Sequence, residues 1–318
     1  MATVEGWQKL DEGRSLRLGH SGGPVTQLAA RLVASGELAR NSEAFDSTMD
    51  AAVRRFQRLH GLAADGVVGA RTRAELNVPL VERVRQLELN LERWRWLPSN
   101  LGDPHALINI PAFSLVVKEH ARAVIAMRIV VGKEYQQTPI FSGAITEVVF
   151  SPDWNVPNSI ATKELWPKER KTPGYLAREH IKVLPGGRLR QTPGPWNSLG
   201  LIKFNIPNPY DVYLHDTPAR QLFEQSARAF SHGCMRVEKP AELAAWLLRD
   251  QPDWTADRIA RESLRGIERA VEVKKPLAVH VLYWTAFIDD AGELTFARDI
   301  YHRDARLDEA MRKPPSRF

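Results

Sequence analysis

The chain has 318 residues, 43% hydrophobic and 26% charged, which is enough for two domains that each bury a core. Its 44 Lys+Arg against 38 Asp+Glu give a net charge of +6, a modest basic excess suited to an anionic polymer or surface. The basic residues are scattered among acids without an aromatic platform, which excludes nucleic acid as the expected partner. A single cysteine excludes an intrachain disulfide, and no Cys/His set has zinc spacing, so neither metal nor cofactor is expected.

No run of 18 apolar residues predicts a membrane span, and Met1-Ala2-Thr3-Val4-Glu5-Gly6 lacks the charged and apolar regions of a signal peptide. After this lead-in, Val25, Leu28, Ala29, Leu32 and Val33 recur at helical spacing and predict a first amphipathic helix ending near Gly36. A second helix is predicted from Asp46 to His60, with Asp46 as its cap, Met49, Val53, Phe56 and Leu59 on one face, and Gly61 as its stop. Asp65 to Gly69 reads as a turn, and a third short helix starts at Thr72. Pro79 closes this unit. Val81 to Leu97 then predicts a bridging helix with Val81, Val84, Leu87, Leu91 and Trp94 on its packed stripe, and with Trp94 and Trp96 as core anchors.

From Leu107 the hydrophobic period changes to two. Strands are predicted at 107–110, 113–118, 122–132, 143–150, 200–204, 211–214, 277–284 and 294–298, with a hairpin turn at Asp289-Asp290-Ala291-Gly292. The stretch from Ser151 to about Leu199 breaks this pattern with seven prolines and Gly186-Gly187, and a long connection of this kind suggests a lid. After the cysteine, Pro240 to Arg249 and a segment capped by Thr255 read as helices.

Two segments carry chemistry. Val212-Tyr213-Leu214-His215-Asp216-Thr217-Pro218 is a short alternating strand that delivers His215 to its end, with Tyr213 on the same face. Nineteen residues beyond His215 comes Cys234, the only cysteine, within Ser231-His232-Gly233-Cys234-Met235-Arg236. A free thiol is mostly protonated at neutrality, with a pKa of roughly 8.5, and an imidazole or positive charge can activate it. A thiol, a base on a strand end and a group orienting that base form the general arrangement of an activated nucleophile.

Together these segments resemble the L,D-transpeptidase (YkuD-type) catalytic domain of peptidoglycan synthesis, and in particular its larger multidomain branch, which carries a substrate-capping segment near residues 151–199. The helical segment, with Arg55-Phe56-Gln57-Arg58-Leu59-His60-Gly61-Leu62 followed by Asp65-Gly66-Val67-Val68-Gly69, resembles the peptidoglycan-binding module found beside cell-wall enzymes. The expected fold is therefore α+β: residues 1–79 a three-helix peptidoglycan-binding-like domain, 80–98 a linker helix, and 99–318 a mostly-β catalytic domain with its capping insertion at about 151–199. The alternative for the helical module is a purely structural three-helix bundle.

The resemblance implies that Cys234 is the nucleophile and His215 the base, and that His232 either takes part or shapes the loop. The backbone N–H groups of Gly233 and Cys234 are expected to receive an oxyanion. Arg236 is expected either to hold a stem carboxylate or to pin the loop; Tyr213 and Ser231 are expected to line the pocket, and Trp154 to be a lid contact or a packing residue. The implied partners are peptidoglycan stem peptides, as donor and acceptor. The implied location is the periplasm or cell envelope, with the export segment absent from this chain. Water or a lipoprotein lysine are alternative acceptors of the same thioester, and a non-catalytic wall-binding protein is the remaining class.

Overall fold

The computed structural model describes residues 6–313; Met1 to Glu5, where the reading for an export segment falls, lie outside the described residues. The chain divides into two compact units, one made of Met1–Pro98 with Tyr283–Phe318 and the other of Ser99–Leu282. The expected catalytic domain ran on to residue 318. The division instead assigns the final segment to the unit that contains the N-terminal helices.

In the first unit, α1 (Gly23–Ala34) starts at Pro24 and buries Val25, Leu28, Ala29 and Leu32, the apolar positions one and two turns apart. Helix α2 (Ser47–Leu59) is capped by Asp46, whose carboxylate accepts the Met49 N–H at 2.9 Å, and it buries Met49, Val53 and Phe56. With α3 (Ala70–Leu76) these helices close one core that also takes in Leu10, Leu16 and Val68.

Helix α4 (Leu80–Trp94) packs on the face opposite to the predicted one. Val81, Val84, Leu91 and Trp94 are exposed, whereas Arg83, Leu89, Asn90 and Arg93 are buried. Its polar face is recruited by bonding partners from the C-terminal segment of the same unit. Asn90 exchanges two hydrogen bonds with Thr285, both at 2.9 Å, and Arg93 pairs with Asp304 at 2.6 Å. Buried polar groups are tolerated when bonded in this way. Neither expected tryptophan anchor is in the core: Trp94 stacks on Trp284 with ring centroids 4.3 Å apart while staying half-exposed, and Trp96 is exposed. The predicted hairpin is present as Ala286–Ile288 paired with Leu294–Phe296, and it belongs to this unit.

The second unit is built on β1 (His105–Asn109), β2 (Ser114–Glu119), β3 (Arg122–Gly132) and β4 (Phe141–Phe150), then three short strands of the insertion, β5 (Trp154–Asn155), β6 (Ile181–Val183) and β7 (Leu189–Gln191). It continues with β8 (Ile202–Asn205), β9 (Leu214–His215), β10 (Ala229–Ser231), β11 (Met235–Val237) and β12 (Arg269–Leu282). The main sheet runs β10-β3-β11-β9-β8-β4-β12-β1-β2, and β2 pairs again with β3. The pairing therefore returns to its starting strand, closing eight strands into a barrel with β10 added beside β3. Inward residues such as Ile108, Leu115, Ile129, Val148, Phe204, Leu214, Met235 and Val279 are fully buried, as the period of two requires.

The proline-rich insertion is a small subdomain with a core of its own. Strands β5, β7 and β6 form a separate sheet, and Val156, Ala161, Leu165, Leu176, Ile181 and Leu189 cluster beneath a helical run over 158–171 whose middle turn, Ala161–Leu165, is π-helical. Behind the barrel, Pro240–Leu247 buries Leu243, Ala244 and Leu247, and Thr255 caps Ala256–Ser263 by accepting the Arg258 N–H.

Candidate active site

Strands β9 and β11 lie side by side and parallel, with Leu214 opposite Met235 and His215 opposite Arg236. Leu214 and Met235 point into the barrel and are fully buried, so alternation turns Tyr213, His215, Cys234 and Arg236 to the other face. All four line one cavity of about 570 Å³, together with Trp154, Ser231 and His232. Of the expected site residues only Gly233 is not among its lining groups.

His215 is 5% exposed, and its ring Nδ1 lies 2.5 Å from the Asp216 backbone oxygen. A ring N–H donated to that carbonyl puts the lone pair on Nε2, and the Leu199 backbone meets the ring as a second partner. The orienting third group of the constellation is thus a peptide carbonyl. The Asp216 carboxylate in turn accepts the Leu201 N–H at 2.9 Å and pairs with Arg220 at 3.1 Å. Gly200 allows this approach: its φ is +64°, and a Cβ there would meet the Asp216 side chain at 2.5 Å.

Burial, reinforced by the Arg236 charge, lowers the His215 pKa to about 3, so its imidazole is neutral across the physiological range. Burial also pushes the Cys234 thiol up, against hydrogen bonds from the Tyr213 peptide and hydroxyl and the positive charges of Lys203 and Arg236. The Tyr213 phenol is held far above its usual range, first by burial, and remains a donor. The resting pair is therefore neutral thiol and neutral imidazole, and a neutral imidazole can take the thiol proton.

The Cys234 loop is tied down from within. Ser231 is 2% exposed; its Oγ donates to the Cys234 carbonyl at 2.5 Å and accepts the Gly233 N–H at 3.2 Å. Ser231 spends its one proton within the loop and so fixes the turn while its side chain lines the cavity. The Gly233 N–H is engaged, whereas the Cys234 N–H has no bonding partner among the described residues. Gly233 keeps a structural part: its φ is +116°, open to glycine, and its carbonyl accepts the Thr138 hydroxyl at 2.8 Å.

Two residues in this arrangement had no sequence signal. Thr138 also accepts the Gly132 N–H at 2.9 Å and so clamps the Cys234 loop to the end of β3. Glu164, on the π-helical turn of the insertion, meets His232 Nε2 at 2.6 Å and ties the cap to the loop. Trp154 lines the cavity and also packs on the core of the cap. Of the two readings for Arg236, loop pinning lacks any bond: its side chain makes no hydrogen bond or ion pair among the described residues, and its Nε is buried without a partner.

Among protein families, the YkuD L,D-transpeptidase catalytic domain matches residues 103–262, just over half of the chain. The chain belongs to the L,D-transpeptidase family. Residues 21–76 match a provisionally named peptidoglycan-binding domain. A Haemophilus influenzae protein, itself provisionally named an L,D-transpeptidase, is 30% identical over 248 residues, which is 71% of this chain and 49% of that protein. The chain thus spans about half the length of the curated relative it matches.

Two solved structures are similar at low identity. An L,D-transpeptidase from Stackebrandtia nassauensis is 12% identical with a TM-score of 0.33, covering 86% of this chain and 96% of that one. L,D-transpeptidase 3 from Mycobacterium tuberculosis, in complex with a faropenem-derived adduct, is 15% identical with a TM-score of 0.28, covering 56% and 60%. The L,D-transpeptidase domain holds, among its described residues, no group of three or more His, Cys, Asp or Glu able to bind a metal ion, and no described helix is long and apolar enough to cross a membrane.

Proposed function

We propose that this protein is a cysteine acyltransferase that cross-links peptidoglycan stem peptides in the cell envelope. The observation that carries this reading is the shared face of β9 and β11, from which Cys234, His215, Tyr213 and Arg236 open to one cavity. His215 Nε2 takes the Cys234 proton as the sulfur attacks the amide carbonyl between the diamino acid and the terminal D-alanine of a tetrapeptide stem. The C–N bond breaks, and His215 returns the proton to the departing D-alanine amine. The thioester then passes to the side-chain amine of a second stem, giving a 3→3 cross-link and restoring the thiol.

The N–H of Cys234 is the donor available to the tetrahedral oxygen, joined by the Tyr213 hydroxyl once acylation releases it from the sulfur it bonds at rest; one such donor lowers a barrier by roughly 2.7–4 kcal/mol. Arg236, with no protein partner, suits a stem carboxylate in a two-point contact. The capping subdomain, held by Glu164 and His232, covers the donor stem, and the helical module anchors the enzyme to the wall.

Incubating tetrapeptide-rich muropeptides with the protein and weighing the products tests this. The expected products are a cross-linked dimer and free D-alanine. Tripeptide with D-alanine but no dimer would instead indicate a hydrolase, and unchanged substrate would indicate a binding protein.

A further inference from the structure

Acyl transfer needs a second substrate, whose amine must reach the thioester while the donor still fills the main cavity. Adjoining it lies a second cavity of about 280 Å³, lined by Lys203, Asn205, Asn208, Asp211 and Tyr213 among others. Asp211, Val212 and Tyr213 form the wall that the two cavities share. The Asp211 backbone oxygen lies 3.8 Å from Cys234 Sγ, so the rim of the second cavity reaches the nucleophile.

Two opposite charges line this space without a direct hydrogen bond or ion pair among the described residues. Lys203 sits on β8 directly across from His215, and its Nζ lies 4.3 Å from the centroid of the Tyr213 ring. It is half-buried, and its side chain makes no hydrogen bond or ion pair among the described residues; only longer-range attraction from Glu268, Cys234 and Glu147 acts on it. The Asp211 carboxylate is exposed and likewise unbonded. The neighbouring amides are already committed, Asn205 to Glu147 and Asn208 to the carbonyls of Ile206 and Val212. A half-buried ammonium that makes no direct ion pair keeps its N–H donors for an anionic ligand, and an unbonded carboxylate on the same cavity favours a cationic one.

We propose that this second cavity is the acceptor subsite, with Lys203 receiving the carboxylate of the incoming acceptor and Asp211 drawing in its amine. The proposal rests on the acyl-transfer reading above and narrows its acceptor. The acceptor is an amine borne on the same carbon as a free carboxylate, an amino-acid head, which the side-chain amine of a protein lysine does not offer. In the transfer step the new N–C bond forms as the S–C bond breaks, and His215 takes a proton from the amine and returns it to the leaving sulfur. Lys203 acts here through binding and selects between acceptors.

The test uses the full chain, a tetrapeptide donor and a pair of competing acceptors, D-methionine and D-methioninamide, with products weighed by mass spectrometry. Both acceptors intercept the same acyl-enzyme, so their product ratio is independent of thiol reactivity. Loss of a charge-assisted hydrogen bond predicts that Lys203→Met shifts this ratio about tenfold or more away from the free acid, with Lys203→Arg retaining part of the preference. Free D-methionine added to the wild type should also suppress transfer to the ε-amine of Nα-acetyl-lysinamide, a readout that needs no variant. An unchanged acid-to-amide ratio in Lys203→Met, with D-alanine still released, overturns the subsite alone. Wild-type protein that releases no D-alanine from the donor overturns the acyl-transfer reading and the subsite with it.

Discussion

Replacing Thr138 by valine keeps the shape of a fully buried side chain and removes its hydroxyl. That hydroxyl makes two bonds, donating to the Gly233 carbonyl at 2.8 Å and accepting the Gly132 N–H at 2.9 Å. A buried group left without its partner costs about 1–3 kcal/mol, and two groups lose theirs here. The substitution should therefore destabilise this unit by about 2–6 kcal/mol, a fall in Tm of about 4–24 °C for a domain of this size. Thr138→Ser keeps the hydroxyl and should lose about 1 kcal/mol. Because the clamp holds the peptide just before Cys234, Thr138→Val should also slow acylation of the thiol below the unfolding temperature, while Thr138→Ser should not. Differential scanning fluorimetry and time-resolved intact-mass measurement of β-lactam adducts read the two effects. A Thr138→Val protein with unchanged Tm and acylation rate would refute the clamp, and a serine variant as impaired as the valine one would assign the effect to the methyl group.

Other consequences follow from individual groups. The folded-state pKa of His215 is lowered to about 3 by burial, against about 6.5 when unfolded, so below pH 6.5 the unfolded chain takes up a proton that the folded protein refuses. Stability should be flat above that pH and fall by about 1.4 kcal/mol per unit on the way down to about pH 3; urea titrations at pH 7 and pH 5 should show a loss about 2 kcal/mol smaller in His215→Gln than in the wild type. His60, pushed to about 3 by burial, adds a slope of the same sign in the other unit, and it persists in that variant. Arg236→Met should cut kcat/KM for the stem about 10–100-fold through loss of a charge-assisted contact, with Tm unchanged, because the guanidinium binds nothing in the protein; a large fall in Tm would restore the loop-pinning role. Glu164→Gln weakens a pair whose side chains are partly exposed, so its stability cost should stay below about 1 kcal/mol while KM for the donor rises several-fold as the cap loosens; an unchanged KM would remove the tether.

What could be read from the sequence was what short-range physics determines. The caps at Asp46 and Thr255, the period-two strands and the shared face of Tyr213 and His215 all follow from local spacing, and each is present in the structure. The Cys234 segment stood out because its residue types are rare and adjacent. Helix α4 misled because its apolar stripe is the better amphipathic face, yet Thr285 and Asp304, roughly two hundred residues away, bond its polar side. The contributions of Thr138 and Glu164 were unreadable for the same reason, since each acts on the loop from 68 to 95 residues away. The bonds by which Ser231 Oγ ties the Gly233 N–H and the Cys234 carbonyl were equally unreadable, because only coordinates reveal which donors the turn has already used.

The central claim is that Cys234 is an open thiol activated for acylation by its pocket, and intact-protein mass spectrometry after incubation with a carbapenem tests it most directly. The account predicts a single covalent adduct on the peptide containing Cys234, formed much more slowly in His215→Gln and absent from a folded Cys234→Ala protein. A native wild-type protein that stays unmodified, or an adduct that persists in Cys234→Ala, would contradict it.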